Sequence, residues 1–103
     1  MLIMVRYKLK ADRVKENEAL VREVFAALAR EQPEGLRYAT FKLADGVSFM
    51  HVSRVDKADG KNPLLAVEAF KRFTDAIRER CEEPPVTTEI EEIGSYRMLA
   101  RLE

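Results

Sequence analysis

Leu36-Arg37-Tyr38-Ala39-Thr40-Phe41-Lys42-Leu43-Ala44-Asp45-Gly46-Val47-Ser48-Phe49-Met50-His51-Val52-Ser53-Arg54-Val55 is the stretch that decides the fold. Two alternating apolar runs, 36–43 and 47–55, flank Ala44-Asp45-Gly46, and an Asp-Gly turn between such runs is a strong local hairpin signal. The register then decides which side chains share a face. A two-residue loop pairs Ala44 with Val47 and sets Lys42 beside Phe49. A three-residue loop with Gly46 in the left-handed region pairs Leu43 with Val47, Phe41 with Phe49, and Ala39 with His51. The second keeps apolar opposite apolar, so it predicts Ala39, Phe41, Leu43, Val47, Phe49 and His51 on one face.

Upstream of the hairpin, residues 2–9 alternate in period two, with Ile3, Val5, Tyr7 and Leu9 on one face and Leu2, Met4, Arg6 and Lys8 on the other. That is a strand. Asp12 is placed to cap a following helix, in which Leu20, Val21, Val24, Phe25 and Leu28 form a helical stripe. Pro33 and Gly35 end it. Downstream, 56–62 is a polar loop, and Asn62-Pro63 reads as an N-cap and first helical position. Ala66, Phe70, Phe73 and Ile77 mark a second amphipathic helix to about Cys81, where Pro84-Pro85 forbids its continuation. Residues 86–93 alternate as a fourth strand. The tail 94–103 carries Tyr96, Met98 and Leu99 without a period and is expected to lie on a partner subunit. Its last two residues, Leu102-Glu103, match the remnant of a cloning site. The order is β-α-β-β-α-β. It predicts one α+β domain over 1–103, with a core at about 2–97. Its architecture is ferredoxin-like, a four-stranded antiparallel sheet carrying two helices on one face.

Composition narrows the functions. The chain has 103 residues, 18 Lys plus Arg against 18 Asp plus Glu, one His and one Cys. A neutral balance offers no electrostatic footprint for nucleic acid. No apolar run reaches the roughly 20 residues that span a bilayer, and the opening Met1-Leu2-Ile3-Met4-Val5 is too short for a signal peptide. One cysteine excludes an internal disulfide framework and fits a reducing compartment, so the cytoplasm is the expected address. No ligand spacing for a metal is present, and Gly35, Gly46, Gly60 and Gly94 are too isolated for a phosphate loop.

Two helices cover only one sheet face. The other face, as read here, holds Leu2, Met4, Leu36, Tyr38, Met50 and Val52 mixed with Arg6, Thr40 and Arg54. It is too apolar for water and too polar for a core, so a homodimer through that face is expected.

At this point the chain resembles the dimeric α/β-barrel superfamily, and within it the antibiotic biosynthesis monooxygenase group. The resemblance runs over roughly residues 2 to 97. It is carried by Val5 to Leu9, by Asp45-Gly46 through Val55-Asp56, and by Ala69-Phe70-Lys71-Arg72-Phe73. The segment Arg78-Glu79-Arg80-Cys81-Glu82-Glu83-Pro84-Pro85-Val86 is similar to the hallmark of an uncharacterised subgroup. These are pattern-level matches that speak for fold more than for activity. The resemblance implies a pocket between sheet and helices within each subunit. It also implies chemistry such as cofactor-independent oxygenation of polycyclic phenols, haem degradation, isomerisation or decarboxylation. Well-described members use an Asn on the first strand, a Trp near the end of the third and sometimes a His on the second helix. The matching places here hold Tyr7, Val55 and Thr74, which weighs against haem degradation and weakens the aromatic monooxygenase reading.

His51, the only histidine, is the candidate base: a neutral imidazole in an apolar cleft can take a proton from a phenol. The plainer reading is a buried or rim histidine satisfied by one hydrogen bond. Tyr7 is the candidate hydrogen-bond donor, or a core residue with its hydroxyl at the edge. Phe41, Phe49, Phe70, Phe73 and Thr74 are candidate substrate-binding residues, though the phenylalanines at this spacing are more simply core. Cys81 reads as inert, because flanking glutamates and a helix C-terminus oppose thiolate. An RNA-recognition reading fails on Asp45-Gly46-Val47-Ser48-Phe49, which has Asp where a cation is needed and lacks one aromatic. The functional expectation is a cofactor-independent monooxygenase or isomerase acting on a small hydrophobic or aromatic molecule, with a non-catalytic ligand-binding or interaction module as the alternative. A cleft filled by Phe side chains would favour the module, and an open cavity at His51 and Tyr7 would favour the enzyme.

Overall fold

The structure, a computed structural model, describes residues 1–99; the end of the tail, Leu102-Glu103 included, lies outside the described residues. Its elements run β1 (Leu2–Leu9), α1 (Val14–Glu31), β2 (Leu36–Lys42), β3 (Ser48–Val55), α2 (Glu68–Thr74), α3 (Ile77–Arg80) and β4 (Cys81–Ile90). The four strands form one antiparallel sheet in the order β2-β3-β1-β4. α1 and α2 pack on one face of it, so the expected ferredoxin-like α+β architecture is present. The core joins Tyr7 and Leu9 of β1, Val21, Val24 and Ala27 of α1, Phe49 of β3, and Leu64, Val67, Ala69 and Phe73 around α2.

The termini of α1 follow backbone chemistry rather than the expected side-chain cap. Asp12 falls inside a 3-10 turn, Ala11–Arg13, and no side chain caps Val14. At the other end Gln32 takes a left-handed conformation, its N–H bonds the Leu28 carbonyl, and Pro33 follows. Gly35 (φ +75°) then swings the chain into β2.

The second helical region is not one helix to Cys81. Asn62 does cap as expected, its side chain accepting from Leu64 N, but it opens only a 3-10 turn at Pro63–Ala66. Extended Val67 separates that turn from α2, and extended Asp75 with left-handed Ala76 (φ 59°) separates α2 from α3. Arg80 secures the second break by donating to the Phe73 and Asp75 carbonyls. This places a cation on helix-terminal oxygens that lack intrahelical partners. β4 consequently starts at Cys81, five residues before the expected Val86, and contains Pro84-Pro85. It is an edge strand, where prolines are tolerated, and its ladder with β1 is irregular between Arg6 and Leu9.

The hairpin register is the one the sequence argument set aside. Lys42 lies opposite Phe49, Thr40 opposite His51 and Tyr38 opposite Ser53. Asp45 explains this: it accepts from the Val47 and Ser48 N–H groups and from the Ser48 hydroxyl. The Leu43 N–H meanwhile bonds the Ser48 carbonyl. These bonds close the turn with four residues between Leu43 and Ser48. A one-residue shift carries a whole strand to the opposite face. Leu36, Tyr38 and Thr40 therefore face the helices, and Ala39 and Phe41 join Leu2, Met4, Met50 and Val52 on the far face.

Candidate functional site

The corrected register adds two hydroxyl groups of β2 to the one that β1 brings to the same imidazole. His51 is 4% exposed on β3. Its Nε2 lies 2.7 Å from the Tyr7 hydroxyl of β1. Its Nδ1 lies 2.6 Å from the Tyr38 hydroxyl and 3.0 Å from the Thr40 hydroxyl, both of β2. Behind Tyr7, Asn17 of α1 donates through Nδ2 at 2.9 Å, and Arg80 of α3 donates through Nε to Asn17 Oδ1 at 3.2 Å. Asn17 and Arg80 are 0% and 2% exposed. Buried polar groups need partners. Among the described residues no buried side-chain nitrogen or oxygen is left without one.

Aromatic rings enclose this chain. Phe49 stacks on Tyr7 at 5.8 Å, Phe73 lies 5.2 Å from His51, and Phe25 stacks on Tyr38 at 5.2 Å. The Arg80 guanidinium sits over Phe73, 5.7 Å from the ring centroid. Such surroundings penalise charge. Burial pushes His51 down to about 4, so its imidazole is neutral at physiological pH. Burial raises Tyr7 above the usual phenol range, with Asn17 opposing. Tyr38 is pushed up to about 12 by burial, opposed by a hydrogen bond from Thr40. The site therefore holds neutral donors and acceptors in line. That arrangement can shuttle or share a proton, and it can present a hydroxyl to a ligand.

The sequence-selected residues divide. His51, Tyr7, Phe49 and Phe73 come together in the interior. Phe70 is partly buried and meets Tyr38 edge-on at 6.4 Å. Phe41 is a correction: opposite Met50 on the far face, it cannot line the site. Thr74 is another: it is exposed, and its hydroxyl bonds the Phe70 and Lys71 carbonyls of its own helix. Cys81 is buried, which raises its thiol pKa, in keeping with an inert cysteine. Tyr38, Thr40, Asn17 and Arg80 were missed. For Asn17 one signal existed, a small polar residue within an apolar helical stripe.

Access lies along the outer edge of β2. Two grooves flank the Phe25–Tyr38 stack. One, about 390 Å³, is lined by Phe25, Leu28, Pro33, Leu36 and Tyr38. The other, about 280 Å³, is lined by Val21, Phe25, Thr40 and Phe49, with Glu18 and Lys42 at its rim. His51 lines neither. It sits behind the Tyr38 and Thr40 hydroxyls. Among the described residues no cluster of three metal-ligating side chains occurs, and no helix is long and apolar enough to cross a membrane.

No family model matches the sequence, and no curated protein is significantly similar to it. Solved structures are informative about fold. A crystal structure of an antibiotic biosynthesis monooxygenase superposes with a TM-score of 0.72 at 18% identity, covering 91% of this chain and 100% of its own. A protein of Mycobacterium tuberculosis gives 0.70 at 15% identity, covering 90% and 97%. A variant of SnoaB, a cofactor-independent oxygenase from Streptomyces nogalater, gives 0.61 at 17% identity, covering 88% and 92%. Strand order, helix placement and these superpositions together show that the chain has the antibiotic biosynthesis monooxygenase-like fold.

Proposed function

We propose that this chain binds a small, predominantly aromatic molecule along the β2 edge and uses His51 and its hydroxyl partners as the polar end of the site. The observation that carries this is the imidazole held between Tyr7 and Tyr38, with Tyr38 and Thr40 each lining one of the two grooves beside Phe25. A few convergent polar groups against an apolar wall are the usual make-up of a small-molecule site. The SnoaB likeness supports cofactor-independent oxygenation as one chemistry; proton-transfer isomerisation is the other that a neutral base beside hydroxyl donors allows. In either, neutral His51 is the base and the tyrosine hydroxyls are donors. The far face also supports a homodimer. With the corrected register that face gathers Leu2, Met4, Ala39, Phe41, Met50 and Val52, and Val86 beside them is 62% exposed.

A second reading is favoured by one specific feature: Phe49 and Phe73 pack directly on the Tyr7–His51 pair, so the interior is filled. That favours a module that binds without turnover. A thermal-shift screen of the native chain and His51→Ala against quinols, polycyclic phenols, flavins and haem separates these readings. Bound ligand adds roughly 2.7 kcal/mol of stability at a hundredfold excess over Kd. Stabilisation by an aromatic compound that disappears in the variant, together with oxygen uptake, supports the enzyme. Stabilisation without turnover supports the module, and a flat response rejects both.

A further inference from the structure

The buried chain from Arg80 to Tyr38 has a direction, and one residue sets it. Arginine carries only donors. Its hydrogen bond to Asn17 therefore fixes the Asn17 amide, with oxygen towards Arg80 and nitrogen towards Tyr7. The Tyr7 oxygen then accepts from Asn17, and its own hydrogen must go elsewhere. Tyr7 is 2% exposed, and the acceptor at hand is His51 Nε2 at 2.7 Å. With Nε2 accepting, neutral His51 carries its proton on Nδ1, aimed at the Tyr38 and Thr40 oxygens. The reverse tautomer would make Tyr7 accept from both Asn17 and His51. A buried hydroxyl hydrogen would then have no acceptor, which costs as much as any orphaned polar group.

We infer that Arg80, acting through Asn17 and Tyr7, is a positioning residue that locks His51 as the Nδ1–H tautomer and, with the Thr40 hydroxyl turned to Tyr38, leaves Tyr38 to offer its hydroxyl hydrogen outward. Every donor in the chain points from the buried cation towards the grooves, and aligned hydrogen bonds polarise one another in a low-dielectric interior. Resting on the ligand site proposed above, and favouring its binding reading over a His51 base because the Nε2 lone pair is turned inward to Tyr7, this makes the polar end selective: it prefers a ligand atom that accepts, such as a carbonyl oxygen, over one that only donates. Arg80 contributes nothing to that preference by contact. It does so by fixing where the protons are.

His51 is the only histidine, so its two ring nitrogens give an unambiguous pair of signals in a long-range proton–nitrogen correlation spectrum of nitrogen-15-labelled protein. The expected native pattern is a protonated Nδ1 and an unprotonated Nε2. Asn17→Asp keeps the shape and keeps Arg80 paired, but the new carboxylate only accepts. Tyr7 then donates to it, and His51 is expected to switch to Nε2–H with the fold retained by circular dichroism. The probes for selectivity are 1,4-naphthoquinone and naphthalene, matched in shape but differing in acceptor oxygens. One hydrogen bond of about 1.4 kcal/mol corresponds to roughly tenfold tighter binding of the quinone, and the preference should vanish in Asn17→Asp. A native Nε2–H pattern, or a tautomer unmoved by Asn17→Asp in a folded variant, overturns the inference. If neither probe binds but the tautomer switches, the positioning role stands and the ligand site is what fails.

Discussion

Replacing Tyr7 by Phe removes one oxygen and, with it, the middle link of the buried chain. Ring packing should persist, because the stack on Phe49 at 5.8 Å involves no hydroxyl. What changes is hydrogen bonding: Asn17 Nδ2 loses its acceptor and His51 Nε2 loses its donor, in residues 0% and 4% exposed. Each buried group left unpaired costs roughly 1–3 kcal/mol. The hydroxyl's own desolvation, about 1–3 kcal/mol on mutational scales, is relieved at the same time. The net expectation is a loss of about 2 kcal/mol. At about 4–8 °C per kcal/mol for a domain of this size, Tm should fall by roughly 8–16 °C. Guanidinium unfolding followed by far-ultraviolet circular dichroism measures this directly, with wild type and variant at one protomer concentration because any self-association contributes to stability. A Tyr7→Phe protein within about 0.5 kcal/mol of wild type, the range of an ordinary surface change, would show that the chain of hydrogen bonds does not hold this core, and the reasoning would be refuted.

Three further outcomes are expected. With His51 near 4 in the folded chain and about 6.5 unfolded, the unfolded state binds the extra proton first. Stability is therefore full above about pH 6.5 and falls as pH drops towards 4, by at most about 3.4 kcal/mol at 1.36 kcal/mol per unit; subtracting the pH profile of His51→Gln should remove this component, and an unchanged profile would sink the assignment. Placing a charge on the far face with Met50→Glu should convert the proposed dimer to monomer by light scattering after gel filtration, whereas Lys71→Glu on the helical side should not. Gly35→Ala should cost about 1–2 kcal/mol for an L-residue held at φ +75°, because its Cβ also meets the Lys57 side chain; a neutral result in chemical denaturation would show that this turn relaxes.

The sequence alone determined the order of elements, because strand period, helical stripe and turn residues are local. β1, α1 and the Asp-Gly hairpin are written in Leu2 to Leu9, in Leu20 to Leu28 and in Asp45-Gly46. It also placed Tyr7, His51, Phe49 and Phe73 in the interior, since each lies on the apolar side of its own element. Four decisions were tertiary. The register of β2 turned on Asp45, whose carboxylate gathers three donors and lengthens the turn by one residue relative to the expected loop; apolar matching of Phe41 with Phe49 could not weigh that against seating Tyr38 and Thr40 on His51. The break between α2 and α3 depends on Arg80 reaching carbonyls five and seven residues earlier in the chain. β4 could begin at Cys81 and run through Pro84-Pro85 because it lies at a sheet edge, and edge position is a property of the assembled sheet. Finally, Arg80 looks like a surface residue in any local window, and Asn17 shows only its place in the apolar stripe of α1. They are buried because each satisfies the other across 63 positions of sequence, and only the folded chain brings those positions within a hydrogen bond.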